Sequence, residues 1–341
     1  MFYHTKDYTY TFTSTKPELM FMDLETTGLC KYTDTLTTLS ILHYIKGHFS
    51  LYQWSISKKE EEILLLQAFL KCLSPTVPLY TYGGTHFELP FIEAKCQLYN
   101  LAFPTAIKHV DFKKLPLFSM LRKQGFTKRA QLENLVAFER TLSTPGKKIA
   151  TIGTLSLSHP ASQYTSLLLT HSEEEVYSLI RFYQLNQFLL ALSHPHTLDL
   201  PTTLTPNSTL TFNGTVSYQL PFSLTLDFSY YHLVYTAHAE VFFLEVLPFK
   251  GTCQYTLPSK DYFIVGGELI HKSLATFIPS SLKRKAKAQE CVLTKESLFF
   301  PCNITSSHPL WFNSFKHSFI LFEPAFDSST IYKTFTKFFK A

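Results

Sequence analysis

At 341 residues the chain is too long for one ordinary domain and comfortable as two. A hydrophobic content of 45%, with 32 Phe and 19 Tyr against only 11 Gly, excludes a disordered or linker-like protein. The net charge of +5 permits a polyanionic partner without demanding one. Six scattered cysteines include no C-x-x-C pair, which argues against a zinc motif and a disulfide framework and leaves reduced, packed thiols. The polar start MFYHTKDYTYTF has no signal-peptide pattern, and no apolar run approaches the ~18–20 residues needed to span a bilayer. A soluble cytoplasmic protein is expected.

The first half alternates strands and helices. FYHTKDYTYTF and ELMFMDL read as strands, and TLTTLSILHYI and HFSLYQWSI as two more across a Lys46-Gly47 turn. Residues 58–73 place Ile63, Leu64, Phe69 and Leu70 on a helical stripe behind an acidic first turn. VPLYTY is a short strand, a helix begins near Phe87, and AIKHVDF is the next strand. LPLFSMLRKQ and RAQLENLVAFER are helical, and Glu173 to Leu192 is the longest helix of this half. This order predicts an α/β domain over 1–197, a mixed sheet flanked by helices, matching the ribonuclease H-like architecture. After the Pro- and Thr-rich SHPHTLDLPTTLTPNSTL, period-2 alternation predicts a β-rich α+β domain over 198–341. One helical segment, SLATFIPSSLKRKAKAQEC, interrupts it. The amphipathic STIYKTFTKFFKA closes it, its Phe side packed and its Lys333, Lys337 and Lys340 outward.

The chemistry gathers around FMDLETTGL. In a strand, residues two apart share a face, so Asp23 and Glu25 aim two negative charges at one spot. That is costly unless something positive lies between them. In TYGGTHFELPFIEAK a Gly-Gly turn leads into a helix whose first turn carries Glu88, next to a sheet edge where anions and ligands gather. In LLLTHSEEEVYSLIRFY, His171 precedes Glu175 by four residues, one helical face. Glu174 is an alternative to Glu175 in that acid run. Asp111 reads as a helix cap or as a group behind the site. LKRKAKAQ, 282–289, is either a phosphate-contacting cluster or a solvated helix face.

FMDLETTGL, TYGGTHFEL and HSEEEV together resemble the three motifs of the DEDD superfamily of 3′–5′ exonucleases, in particular the bacterial YprB-type ribonuclease H-like proteins. HVDFKKLPLFSMLRKQ, QLENLVAFER and Pro145-Gly146 resemble that group's intervening segment, and DYFIVGGELIHKSLATFI with LKRKAKAQECVLTKESLFFPC a tail found in some members. The resemblance implies Asp23, Glu25, Glu88 and Glu175 as carboxylates around two Mg²⁺ or Mn²⁺ ions, with His171 as general base. It implies attack of an activated water on a terminal phosphodiester of a nucleic acid, DNA or RNA left open. The chain departs from the pattern: Glu88 and Glu175 stand for Asp, Gly83 and Ser172 for Asn. Each added methylene extends reach by ~1.5 Å where metal bonds tolerate about ±0.2 Å. Either the pocket has re-formed around longer side chains, or metal binding has weakened and a binding module for nucleic acid or protein remains.

Overall fold

The computed structural model describes the chain apart from residues 9–11, 13–17, 105, 143, 202, 206–207, 305–308, 315–316, 323–326 and 340–341. The chain divides into two compact units, residues 1–190 with 220–223, and 191–219 with 224 onward.

The first unit is built on a six-stranded mixed sheet. Strands β1 (Phe2–Tyr8), β2 (Glu18–Thr26), β3 (Leu36–Ile45) and β4 (His48–Ser55) are followed by helix α1 (Glu62–Cys72), β5 (Leu79–Thr81), α2 (Glu88–Leu98) and β6 (His109–Asp111). Helices α3 (Pro116–Lys123), α4 (Arg129–Leu135), α5 (Gly146–Ser158) and α6 (Ser162–Ala191) complete it. The sheet order is β1-β4-β3-β2-β5-β6. The first four strands pair antiparallel, while β5 joins β2 and β6 joins β5 in parallel. Alternation along β2 decides which residues meet which layer. Met20, Met22 and Leu24 enter the core with Leu65 and Phe69 of α1 and Phe91 and Ile92 of α2. Phe21 points the other way, against Tyr183 of α6, and Asp23 and Glu25 continue that line.

Three expectations need correction. The buried stripe of α1 is Leu65, Leu66 and Phe69, with Leu64 turned outward. Its acidic start is not merely a dipole partner, because Glu62 is fully buried and paired with Lys95. The long helix begins at Ser162 rather than near Glu173, so His171 lies well inside it. Helix α5 was not legible in GKKIATIGTLSLS, a stretch of weak helix formers. Burial of Ile149 and Ile152 holds it, and at Gly153 a side chain would crowd Thr26 and Thr37.

The second unit is β-rich. Strands β7 (Thr197–Asp199), β8 (Leu210–Thr215), β9 (Leu224–Phe228), β10 (Tyr231–Tyr235) and β11 (Val241–Val246) form a five-stranded sheet in the order β7-β8-β11-β10-β9. Strand β12 (Phe249–Thr256) leads to a three-stranded sheet of β13 (Tyr262–Val265), β14 (Glu268–His271) and, beyond the single-turn helix α7 (Lys272–Ala275), β15 (Lys283–Lys285). Strands β16 (Val292–Pro301), β17 (Leu310–Phe312) and β18 (Ser318–Leu321) close a small barrel with β12 around Cys253, Phe299, Trp311 and Phe319. Helix α8 (Ser328–Lys337) lays Tyr332 and Phe335 on Phe212, Phe228 and Phe242 of the five-stranded sheet. Lys333 and Lys337 are exposed, and Lys340 lies outside the described residues. The basic stretch expected as a helix is a turn and an edge strand. Pro279 disfavours helix at the residue before it, and β15 takes its hydrogen bonds from β13. All six cysteines are free, four of them buried. No helix among the described residues is long and apolar enough to cross a membrane.

Candidate active site

Strand β2 brings Asp23 and Glu25 to the face covered by α6, opposite Ser40 and Thr38 of β3. Helix α6 is fastened there by polar contacts. The Gln53 amide donates to the Leu169 carbonyl (2.8 Å), and the Ser172 hydroxyl donates to Ser40 Oγ (2.8 Å), lying 3.4 Å from Asp23 Oδ2. Those contacts set the rotation of α6, and the 100° step per residue then sends three consecutive glutamates in three directions. Glu173 reaches Lys6 and Tyr8 of the edge strand. Glu174 accepts the Thr141 and Leu142 backbone N–H groups and ties down that loop. Glu175 faces inward, one turn beyond His171. The His171 ring puts Nε2 at 3.5 Å from Glu25 Oε1 and 3.5 Å from Glu175 Oε1.

The cations that meet this cluster come from the segment between Arg129 and Arg140. Arg129 of α4 pairs with Glu175 and with Glu133 (3.1 Å), and also donates to the Glu175 carbonyl and Ser178 Oγ. Arg140, in the loop after α4, pairs with the other Glu175 oxygen (2.6 Å) and donates from Nε to Glu133 Oε2 (2.8 Å). Glu175 is thus clamped by two guanidinium groups, one on each carboxylate oxygen. Burial works against an ionised Glu133, yet its hydrogen bonds and charge pairing with the arginines hold its carboxyl below the usual range.

Glu88 begins α2 and is 7% exposed. Burial pushes its carboxyl up to about 7, Arg129 opposing and Asp111 and Glu175 adding to the rise. Asp111 is committed elsewhere: it accepts the Gly83 (2.8 Å), Thr85 (3.2 Å) and Lys113 (3.0 Å) N–H groups. It therefore caps the turn after β6 and pins the Gly-Gly turn before α2. Burial alone would raise its carboxyl, but these hydrogen bonds hold it below the usual range. Gly83 has φ +104°, a conformation that L side chains rarely adopt, so glycine suits the turn at this place in the motif.

A family model described as the RNase H superfamily matches residues 20–187, just under half of the chain. That span runs from the strand carrying Asp23 to the helix carrying His171 and Glu175. Residues 20–187 form an RNase H-like domain. Among solved structures, the family B DNA polymerase of the hyperthermophilic archaeon Pyrobaculum calidifontis aligns at 12% identity and TM-score 0.37, over 52% of this chain and 25% of the polymerase. E. coli exonuclease I aligns at 12% identity over 64% of this chain and 54% of the enzyme. Its TM-score is 0.28 in a zinc-bound complex with single-stranded DNA and 0.29 in a complex with a dA16 oligonucleotide. The chain thus spans about half of exonuclease I and a quarter of the polymerase, and likenesses this slight place no residue. No curated protein matches the sequence.

Electrostatics of the RNase H-like domain define what its centre fits. Burial, and then repulsion from Glu175 and Glu88, hold the Asp23 carboxyl well above the usual range. Burial, and then repulsion from Asp23 and Glu175, do the same to Glu25. The two arginines offset this only in part. Asp23, buried, and Glu25, partly buried, are therefore an acidic pair short of positive charge, and a magnesium-type ion, which takes one or two carboxylates and keeps several waters, fits that donor set. Glu175 does not fit, since both its oxygens are held by guanidinium. Among the described residues no three of His, Cys, Asp and Glu are grouped to hold a metal ion. The expected cage of four carboxylates around two ions does not fit the side chains as they stand.

A groove shares Glu25 with this centre. A cavity of about 770 Å³ is walled by Leu24, Leu29, Phe87 and Leu155, with Glu25 at one end and Lys147 on α5. Of the residues singled out in the sequence, the domain gathers Asp23, Glu25, His171 and Glu175 in one place, and Glu88 reaches them electrostatically. Arg129, Arg140 and Glu133 are not among those singled out. Their one local signal is the four-residue spacing of Arg129 and Glu133 on α4.

Proposed function

We propose that the RNase H-like domain is an exonuclease-type phosphodiesterase that takes the end of a single-stranded nucleic acid. The observation that carries this reading is the convergence of Asp23, Glu25 and His171, from segments nearly 150 residues apart, with Glu25 also lining a groove large enough to admit a base. The terminal base lies between Leu24, Leu29, Phe87 and Leu155, with Lys147 toward the phosphates. Asp23 and Glu25 would hold one divalent cation, Mg²⁺ or Mn²⁺. Such an ion supplies charge neutralisation at the phosphate and a more acidic water. Burial keeps His171 below its usual range, with Arg140 and Arg129 adding to that and Glu175 opposing, so the ring is neutral at pH 7. A neutral ring accepts a proton at Nε2, and the imidazolium so formed lies between Glu25 and Glu175. Arg129 and Arg140, one on each carboxylate oxygen, orient Glu175 for that role.

End-labelled DNA and RNA oligonucleotides, incubated with Mg²⁺ or Mn²⁺ from pH 6 to 9, test the proposal. Stepwise shortening is expected, lost in Asp23→Ala and reduced about 10²-fold in His171→Ala. Intact oligonucleotides under every condition end it. The doubly clamped Glu175 favours one second reading, a nucleic-acid-binding module without hydrolysis. Retention of oligonucleotide by the intact chain with no shortening selects that reading. On either, the β-rich unit of residues 191–219 and 224 onward is a body of its own.

A further inference from the structure

Residues 257–291 leave the barrel between two strands that are paired with each other, since Thr256 lies opposite Val292 and the Leu257 N–H donates to the Cys291 carbonyl. This arm carries six basic side chains (Lys260, Lys272, Lys283, Arg284, Lys285 and Lys287) against three acidic ones (Asp261, Glu268 and Glu290), much of the net +5 of the whole chain. Two acids are already matched: Asp261 holds Lys272 at 2.6 Å, and Glu290 takes both terminal nitrogens of Arg284. No ion pair among the described residues involves Lys260, Lys283, Lys285 or Lys287.

Strand register sorts these charges. Lys285 lies opposite Phe263, Phe263 opposite Ile270, and Lys283 opposite Val265, so two lysines share one sheet face with Phe263, Val265 and Ile270. That face is only half-buried. A cleft of about 520 Å³ opens on it, lined by Lys260, Phe263, Lys272, Ser273, Thr276 and Lys283, with the Lys283 ammonium 5.5 Å from the Phe263 ring centre. Nearby, Phe277 is 86% exposed, a large aromatic surface left in water.

We infer that this arm binds single-stranded nucleic acid, its lysines on the phosphates and its phenylalanines under the bases. Unmatched positive charge selects a polyanion, and Phe263 on the lysine-bearing sheet face, with exposed Phe277 nearby, gives bases a platform that needs no sequence preference. A concave cleft ringed by ammonium groups takes a base and its phosphate, where a bilayer would need a continuous apolar face. The inference stands on these residues alone and not on the acidic pocket of the other unit.

Fluorescence anisotropy of the full chain with labelled dT20 and U20, in EDTA so that hydrolysis does not enter, is the test. The triple variant Lys260→Ala, Lys285→Ala, Lys287→Ala changes exposed side chains only. It is expected to bind at least about tenfold more weakly at 0.1 M salt, with a log–log salt slope shallower by about 2. Phe277→Ala is expected to lose about fivefold or more in affinity with the slope unchanged. Unaltered affinity and slope in both variants overturn the inference, as does binding to anionic phosphatidylserine vesicles without binding to either oligonucleotide. A wild type that shortens oligonucleotides while both arm variants bind normally removes the arm alone; arm-dependent binding without shortening removes the phosphodiesterase alone.

Discussion

Two sets of buried charges lie on opposite faces of the same sheet, and they are built to opposite standards. Between α1 and α2, Glu62 accepts the Leu36 N–H (2.6 Å) and the Tyr99 hydroxyl (2.7 Å) and pairs with Lys95 at 3.5 Å, both side chains essentially sealed from water. One acid meets one base and two further donors, so the charges balance. At the α6 side, Asp23, Glu25, Glu133 and Glu175, joined by Glu88 from the start of α2, are met among the described residues by Arg129 and Arg140. The ring between them keeps a buried Nδ1 with no hydrogen-bond partner among the described residues. A balanced buried pair serves the fold, whereas an unbalanced one costs stability and persists where chemistry needs it.

Mutation separates the two most sharply. Lys95→Ala strands Glu62 and is expected to cost about 3–5 kcal/mol in urea unfolding. Equal stability of Lys95→Ala and wild type breaks the contrast. The pH dependence carries the next largest effect. Burial raises the Glu88 carboxyl from 4.5 to about 7 in the fold, so the folded state favours the protonated form. That stabilisation is complete below pH 4.5 and is lost as pH rises through 7, on the order of 3 kcal/mol from this group. Asp23 and Glu25, also raised, act in the same direction. Unfolding in EDTA at a series of pH values should show stability falling toward neutrality, and added Mn²⁺ should flatten that fall.

On the acidic side, Asp23→Asn removes one of two repelling carboxylates. It is expected to raise stability by about 1–2 kcal/mol in EDTA at pH 8, the opposite sign from Lys95→Ala. A destabilised Asp23→Asn would show that the pair is compensated after all. The smallest effect concerns the clamp. Arg140→Gln takes one positive charge from Glu175, and Mn²⁺ affinity by calorimetry should rise about fivefold. Unchanged affinity would mean that the arginines and the ion do not share an electrostatic field.

How much was readable in advance follows from the range of the interactions. Alternation along ELMFMDLET is a local property, and it assigned Asp23 and Glu25 to one face before any fold was known. The i,i+4 relation of His171 and Glu175 is equally local, and extending the helix back to Ser162 strengthened it. The arginine clamp is not local. Arg129 and Arg140 reach Glu175 across some forty residues, and no spacing rule links them. In the second unit, Lys, Arg and Ala favour helix intrinsically, but Pro279 and pairing with β13 outweigh that preference in LKRKAKAQ. The mixed sheet with flanking helices was legible, as was the β-rich half. The weak helix formers of α5 hid an element that only packing reveals.

That helix has one consequence for the groove. A methyl group on Gly153 would stand 3.3 Å from Thr37 Oγ1 and 3.4 Å from the Thr26 carbonyl, so the missing side chain lets α5 settle against the end of β2. Ala150 and Leu155 ride on the same helix and form the far wall of the cavity. The width of the slot is therefore gauged by a hydrogen atom, and successively larger residues at position 153 would pry that wall outward like shims under a door.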